Sequence, residues 1–186
     1  SELVKIYLPP EADVIVDNVS KIPGGADLVE DVLLRINRAA EDAVSEAKPI
    51  FVNSIKSMTI PDAVEILQGP DDAATEYLRR TTYDELFNLY KPKIGSSLEK
   101  ELAGNLSTAE SWELLTDHWN AVAKSMVGQI AGFKTVEVDL KEYLTGQALD
   151  GLFLKIEQEE QRIRENPAAR VTELLRRVFG SAEHKK

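Results

Sequence analysis

The sequence predicts an all-α fold, a single-domain bundle of about seven helices that follows an irregular N-terminal arm. Apolar residues recur at helical spacing over most of the chain from Leu28 onward. Several helix starts carry a capping box, a Ser or Thr followed three residues later by an acidic residue. Val136 and Val138 alternate with charged residues as in a strand, but no second strand is available to pair with them. We therefore interpret that stretch as a connector.

The 186 residues match the length of one domain. We divide them into an extended arm over residues 1–26, a helical domain over residues 27–180 and a disordered polar tail over residues 181–186. Consecutive prolines at Pro9 and Pro10 interrupt the arm, and the Pro23-Gly24-Gly25 turn ends it.

The first predicted helix begins near Leu28 and presents one apolar face. Because Pro49 disfavours a helical conformation at Lys48, we expect a boundary or kink there. Thr59 then caps a short helix with a proline in its first turn, and Gly69 ends it.

The next helix opens at Asp71 and Asp72, whose carboxylates suit the positive end of a helix dipole. Thr82 and Glu85 form a further capping box, which predicts a new helix start. Pro92 is expected to bend or end that helix.

The middle of the chain contains two loop-like stretches, at residues 95–97 and 103–105. After them, Ser107 and Glu110 form another capping box. We expect one long helix over residues 112–133.

Asp139 with Glu142 caps a helix that is expected to run to about Glu165. Asn166 before a proline predicts the start of the last helix. The apolar stripe of this last helix consists of Val171, Leu174, Leu175, Val178 and Phe179.

Composition excludes several classes of function. The 22 basic and 32 acidic residues give a net charge of −10, which argues against nucleic-acid binding and against adsorption to an anionic membrane surface. With no Cys, the chain has no disulfide, thiolate nucleophile or thiolate metal site. The longest uncharged stretch has nine residues, far below the roughly 20 of a membrane-spanning helix.

No catalytic or metal-binding motif is present in the sequence. Nucleophile-elbow, phosphate-loop and calcium-loop patterns are missing, and His118 and His184 lie too far apart to suggest a zinc site. We therefore predict no cofactor, no metal and no catalytic residue.

A polar segment interrupts the apolar face of the helix before Asn166. That face should pass through position 159 or 160, and both are Glu. A buried carboxylate needs a partner, for which Arg is best suited. Three interpretations stay open: an internal ion-pair network, a pocket for an anionic or metal ligand, or a solvated face. The polar candidates are Asp71, Asp72, Arg79, Arg80, Glu157, Glu160, Arg164 and Arg170.

Gly128 and Gly132 are four residues apart in an apolar segment, a spacing that lets helices approach closely. They predict tight packing of two helices, a dimer seam, or a groove for an apolar ligand. The groove candidates are Met126, Gly128, Gly132 and Phe133.

Two sets of blocks resemble the bacterial domain-of-unknown-function family 4197. The recognisable motifs are Gly69-Pro70-Asp71-Asp72 and Asn166-Pro167-Ala168-Ala169-Arg170. The similar blocks cover residues 36–43, 46–51, 69–82, 148–153, 163–170 and 178–180. The similarity extends over most of the chain from about Asp27, and it is looser over residues 91–139.

The resemblance implies an envelope protein of Gram-negative bacteria, periplasmic or associated with the outer membrane. Many members of this family carry a secretion or lipoprotein leader, so any membrane attachment is expected through an anchor upstream of Ser1. The resemblance implies no established activity and transfers no catalytic residues.

The leading hypothesis is a non-enzymatic helical envelope protein that binds a lipid, a small apolar ligand or a protein partner. One alternative is a metal-binding protein or enzyme that uses carboxylates among Glu157, Glu160, Asp71 and Asp72, which would require at least three of these four carboxyl groups to converge. Another is a structural module that assembles into a homo-oligomer.

Overall fold

The computed structural model describes residues 9–13, 16–17, 23–100, 106–166 and 168. A 3₁₀ turn at Pro10–Ala12 precedes six α-helices whose bounds lie within these residues. The helices are α1 (Gly25–Lys56), α2 (Ile60–Gln68), α3 (Ala73–Leu98), α4 (Thr108–Lys124), α5 (Met126–Ile130) and α6 (Leu140–Glu165). The predicted all-α, single-domain fold is confirmed, with six such helices against the expected seven.

Residue contacts divide the chain into two compact units, each built from separate stretches of sequence. The first unit comprises Ser1–Val4, Val44–Phe87 and Leu149–Lys186, and the second comprises Lys5–Ala43 and Asn88–Ala148. Helices α1, α3 and α6 therefore each contribute residues to both units.

Phe153 is the centre of the aromatic core of the first unit. It is fully buried, meets Phe51 edge-on at 6.3 Å and stacks on Tyr83 at 6.5 Å between ring centroids. The Arg79 guanidinium lies 4.7 Å from the centre of the same ring and donates to Asp150 over 3.0 Å. The cation–π contact and the ion pair together tie α3 to α6.

The second unit packs around Ile36, Tyr90, Ile94 and Leu144, all of which are buried. Burial raises the pKa of Tyr90 to about 12. Within the described residues, the Tyr90 hydroxyl has no hydrogen-bond partner.

Local capping signals are confirmed at three helix starts. Thr59 and Asp62 form the capping box of α2, and Ser107 and Glu110 form that of α4. Asp139 accepts a 2.9 Å hydrogen bond from the Glu142 amide in the first turn of α6. The described residues contain no extended strand, and 133–139 form a connector, as expected.

The helix boundary that was one of the two alternatives near Lys48 is not found, because α1 continues through Pro49 to Lys56. The predicted helix start at Thr82 is wrong, because α3 runs without interruption through Thr82, Pro92 and residues 95–97. Thr82 is buried inside α3, and its hydroxyl donates to the Leu78 carbonyl over 2.6 Å instead of capping a new helix.

The predicted long helix over residues 112–133 is wrong as well. The structure ends α4 at Lys124 and begins the five-residue α5 at Met126, with Ser125 extended between them. The predicted last helix, its apolar stripe, the loop at 103–105 and the tail at 181–186 lie outside the described residues, as does most of the N-terminal arm.

Candidate functional site

Glu160 is the buried carboxylate of α6, and only 7% of the residue is exposed. Its Oε1 accepts hydrogen bonds from Arg164 Nη2 at 2.7 Å and from the Ala74 amide at 2.9 Å. Its Oε2 accepts from the Thr75 amide at 2.8 Å and the Thr75 hydroxyl at 2.7 Å. Glu160 therefore binds the amide groups at the start of α3, where a negative charge also meets the positive end of the helix dipole.

Arg164 completes this cluster. Its Nε donates to Glu160 over 3.0 Å, and its Nη2 donates to the Ile66 carbonyl over 2.8 Å. Burial raises the pKa of Glu160, but hydrogen bonds from Thr75, Ala74 and Arg164 lower it, and the net pKa lies below the ordinary value. The carboxylate is thus held ionised with all of these donors engaged, which suits a structural anchor.

The other predicted arginines do not reach this carboxylate. Arg79 binds Asp150, as described above. Arg80 has a side chain that is 67% exposed, lies 4.0 Å from Asp62 and covers the Tyr77 ring at 5.8 Å. Of the four arginines proposed from the sequence, the structure brings Arg164 to Glu160. Arg170 lies outside the described residues.

The remaining acidic candidates are Glu157, Asp71 and Asp72. Glu157 accepts a 3.2 Å hydrogen bond from Gln161, one turn along α6. Asp71 is exposed and Asp72 is half-buried in the turn before α3. No three His, Asp or Glu side chains of the described ranges are grouped so that they could hold a metal ion. The convergence that the metal or enzyme alternative required is therefore not found in this part of the chain.

Among the described residues of the second unit, the large apolar side chains with the highest exposure lie on α5. The exposed fractions of Met126, Val127 and Ile130 are 79%, 74% and 83%. Val122 and Phe133 at the flanks are each exposed by more than 40%. We call these five residues the apolar corner. Met126 and Phe133, two of the groove candidates, belong to this exposed surface.

Ser125 and Gly128 fold α5 back against the end of α4. The Ser125 hydroxyl donates to the Val122 carbonyl over 2.6 Å and accepts from the Gly128 amide over 3.1 Å. A Cβ atom on Gly128 would lie 2.1 Å from the Val122 carbonyl oxygen and 2.8 Å from the Ala123 Cα. Only glycine therefore permits this close approach.

Gly132 has a different role, because it ends α5. Its φ is +74°, and a Cβ at this position would meet open space. The Phe133 amide donates to the Gly128 carbonyl over 2.9 Å, and the Gly132 amide donates to the Gln129 carbonyl over 3.2 Å. These two bonds form a Schellman motif. The two glycines therefore do not line one helix–helix seam.

The chain that follows the apolar corner is fastened to α4 by side-chain hydrogen bonds. Asn120 accepts from the Val136 amide at 2.7 Å and donates to the Val136 carbonyl at 2.9 Å. Trp119 donates to the Lys134 carbonyl over 2.9 Å, and its ring lies 5.2 Å from that of Phe133. The exposed apolar side chains are thus carried by a well-bonded framework.

Sequence reasoning missed Thr75, Asn120 and the outward direction of Val127 and Ile130. The sequence does contain a signal for the helix boundary at the apolar corner. Ser125 directly follows Lys124 and has a helix-capping side chain, so it could have been read as a boundary between two helices.

Each unit also contains an open cavity. In the second unit, a cavity of about 320 Å³ is lined by Leu98, Trp112, Leu140 and Lys141, among others. In the first unit, a more polar cavity of about 580 Å³ includes Asp62, Tyr77, Arg80 and Thr81 in its lining. Across the described ranges, no helix is both long and apolar enough to cross a membrane.

A family model described as Protein of unknown function (DUF4197) matches residues 1–180. No match was found among curated proteins or among solved structures.

Proposed function

The chain belongs to the family described as Protein of unknown function (DUF4197), and from that premise we propose that it is a non-enzymatic protein of the bacterial cell envelope that binds lipid through the apolar corner. The proposed location is the periplasm or the face of the outer membrane. It rests on the resemblance of the sequence blocks to envelope proteins of this family.

The observation that carries the proposal is the exposure of Met126, Val127 and Ile130, each more than 70% accessible to solvent. Contiguous patches of exposed apolar side chains on a protein surface mark interaction sites, whereas singly scattered exposed apolar residues do not. Here the framework that presents them includes a cap at Ser125 and a Schellman motif at Gly132. Local structure is therefore built to hold these side chains outward.

The Glu160 cluster supports a non-enzymatic role. General acid–base catalysis needs a group whose proton can be exchanged with a substrate at the working pH. Glu160 has a lowered pKa, and its carboxylate accepts hydrogen bonds from Arg164, Thr75 and Ala74. Its bonds join α6 to α3, which is a structural task.

Binding of a monomeric lysophospholipid, below its micelle concentration, tests the proposal. We expect the lipid to change the emission of Trp119, which lies against Phe133. Ile130→Asp should weaken binding by roughly tenfold or more, because one buried aliphatic side chain is lost. Ile55→Asp is the control, since Ile55 is also an exposed isoleucine, at 53%, and lies outside both the apolar corner and α2. Equal binding by wild type and Ile130→Asp would refute the proposed site.

A second candidate function is self-assembly through α2. None of the residues of α2 is buried, although Ile60, Val64 and Leu67 are apolar. A second copy of the chain that packed on this face would remove these side chains from water. Sedimentation equilibrium should then show a dimer that Ile60→Asp dissociates, whereas a monomer at high protein concentration would exclude this role.

A further inference from the structure

We infer that the lipid ligand of the apolar corner is the surface of a bilayer that contains anionic headgroups, with the side chains of α5 inserted between the lipids. This inference rests on the proposed lipid-binding function and names its target. It assigns the contact to α5 and to the two lysines that flank it.

The exposure of the apolar corner favours a bilayer over a single bound molecule as its ligand. A small-molecule site is concave and covers most of the surface of its ligand. Met126, Val127 and Ile130 instead extend into solvent from a five-residue helix, so they can cover only part of a single lipid molecule. A bilayer reverses this relation, because the lipids surround the protruding side chains.

The apolar corner is suited to a contact with the interfacial layer of a membrane. Interfacial helices lie in the plane of the membrane and bury their apolar face about 5–10 Å into the boundary between headgroups and acyl chains. The five residues of α5 are too few to span a membrane, so a contact through α5 is confined to that layer.

The charges near α5 differ from those of the whole chain. The 19 residues between Asp117 and Glu137 contain no carboxylate and two lysines, Lys124 and Lys134, in a protein of net charge −10. Both lysines are exposed, and they bracket the apolar corner in sequence. Because charges in physiological salt are screened beyond about 8 Å, the charges closest to the contact act most strongly there, and the two that lie nearest to it in sequence are these lysines.

An aromatic pair lies at the edge of the same surface. Trp119 and Phe133 are in contact, and the indole N–H already donates to the Lys134 carbonyl. Trp prefers the membrane interface because its ring has an apolar body and a polar tip. We therefore expect Trp119 to lie at the level of the lipid headgroups when the apolar corner is inserted.

Vesicle flotation tests the inference on the full chain. One set of vesicles contains phosphatidylcholine alone, and the other contains about one third phosphatidylglycerol, a fraction that gives the surface a negative potential. We expect wild type to float with the anionic vesicles at least several-fold more than with the neutral ones. Ile130→Asp and Met126→Asp should abolish flotation, and circular dichroism checks that both variants fold.

Charge reversal separates the electrostatic contribution of the two lysines from the contribution of the apolar side chains. Lys124→Glu and Lys134→Glu should remove the preference for anionic vesicles. Lys155→Glu changes an exposed lysine on α6, and Ile55→Asp changes an exposed isoleucine near the end of α1. Both controls should float like wild type. Equal flotation with the two vesicle types would overturn the role given to the lysines.

The lysophospholipid measurement distinguishes failure of this inference from failure of the proposed function. If the monomeric lipid binds in an Ile130-dependent manner but the protein does not float with either vesicle, the bilayer inference is wrong and lipid binding stands. If neither form of lipid binds, both are wrong. Flotation that survives Ile130→Asp and Met126→Asp would overturn the assignment to α5.

Discussion

Glu160 shows how one buried charge is accommodated at the scale of a residue. The sequence predicts a carboxylate at position 159 or 160 of an apolar stripe and offers Arg164, one helical turn away, as a partner. It does not reveal that the same carboxylate accepts hydrogen bonds from Ala74 and Thr75, more than 80 positions earlier. Those contacts depend on how α3 and α6 pack, and no local pattern encodes them.

Arg164→Ala should destabilise the fold by about 3–5 kcal/mol, because it leaves Glu160 buried without its cationic partner. The matched control is Arg162→Ala, whose partner Glu159 is more than 50% exposed. We expect the control to cost less than about 1 kcal/mol. Urea unfolding measures both, and equal unfolding midpoints for the two variants would contradict this account of the cluster.

Stability should fall in acid partly through Glu160. The folded state lowers the pKa of this group, so the unfolded state binds more protons as the pH decreases. The stabilisation is therefore complete above the ordinary glutamate pKa, about 4.3, and is lost as the pH falls through the lower folded-state value. The difference in unfolding free energy between wild type and Glu160→Gln should narrow over this acidic range. A difference that stays constant with pH would show that ionisation of Glu160 is irrelevant.

At the scale of the element, signals that act within one turn are readable from the sequence. The capping boxes at Thr59 and Ser107 each need only a residue and its neighbour three positions on, and both form. The helix boundary considered near Pro49 and the helix start expected at Thr82 do not occur. For Thr82, tertiary packing outweighs local preference, because burial inside α3 leaves its hydroxyl to bond a carbonyl of its own helix.

The two ends of α5 depend on two glycines for different reasons, because Gly128 lies against the end of α4 and Gly132 ends α5. Gly132→Ala places a Cβ in a left-handed conformation and should cost about 1–2 kcal/mol, while Gly132→Asn should cost less. Gly128→Ala should cost more than either, because its Cβ would meet the Val122 carbonyl. Urea unfolding, followed by tryptophan fluorescence, measures the loss of unfolding free energy in each variant and so ranks the three substitutions. Equal costs at both positions would contradict the separate roles of the two glycines.

At the scale of the whole molecule, net charge describes the average surface and conceals local differences. A charge of −10 argues against adsorption to an anionic membrane, yet the segment between Asp117 and Glu137 has only lysines as fully charged side chains. The uncharged run within it is far too short to span a bilayer. Whether this segment is an interaction surface depends on how far its apolar side chains are exposed. That exposure follows from the fold of α4 and α5 and cannot be predicted from the spacing of apolar residues alone.

Quenching of tryptophan emission by brominated lipids tests the central claim most directly, that the apolar corner is the lipid-binding surface. The chain has two tryptophans, so Trp112→Phe leaves Trp119 beside the apolar corner, and Trp119→Phe leaves Trp112 two turns earlier in α4. With anionic vesicles that carry bromine on the acyl chains, we predict strong quenching of Trp119 and little quenching of Trp112. Equal quenching of both, or none of Trp119 while the protein is bound, would contradict the account.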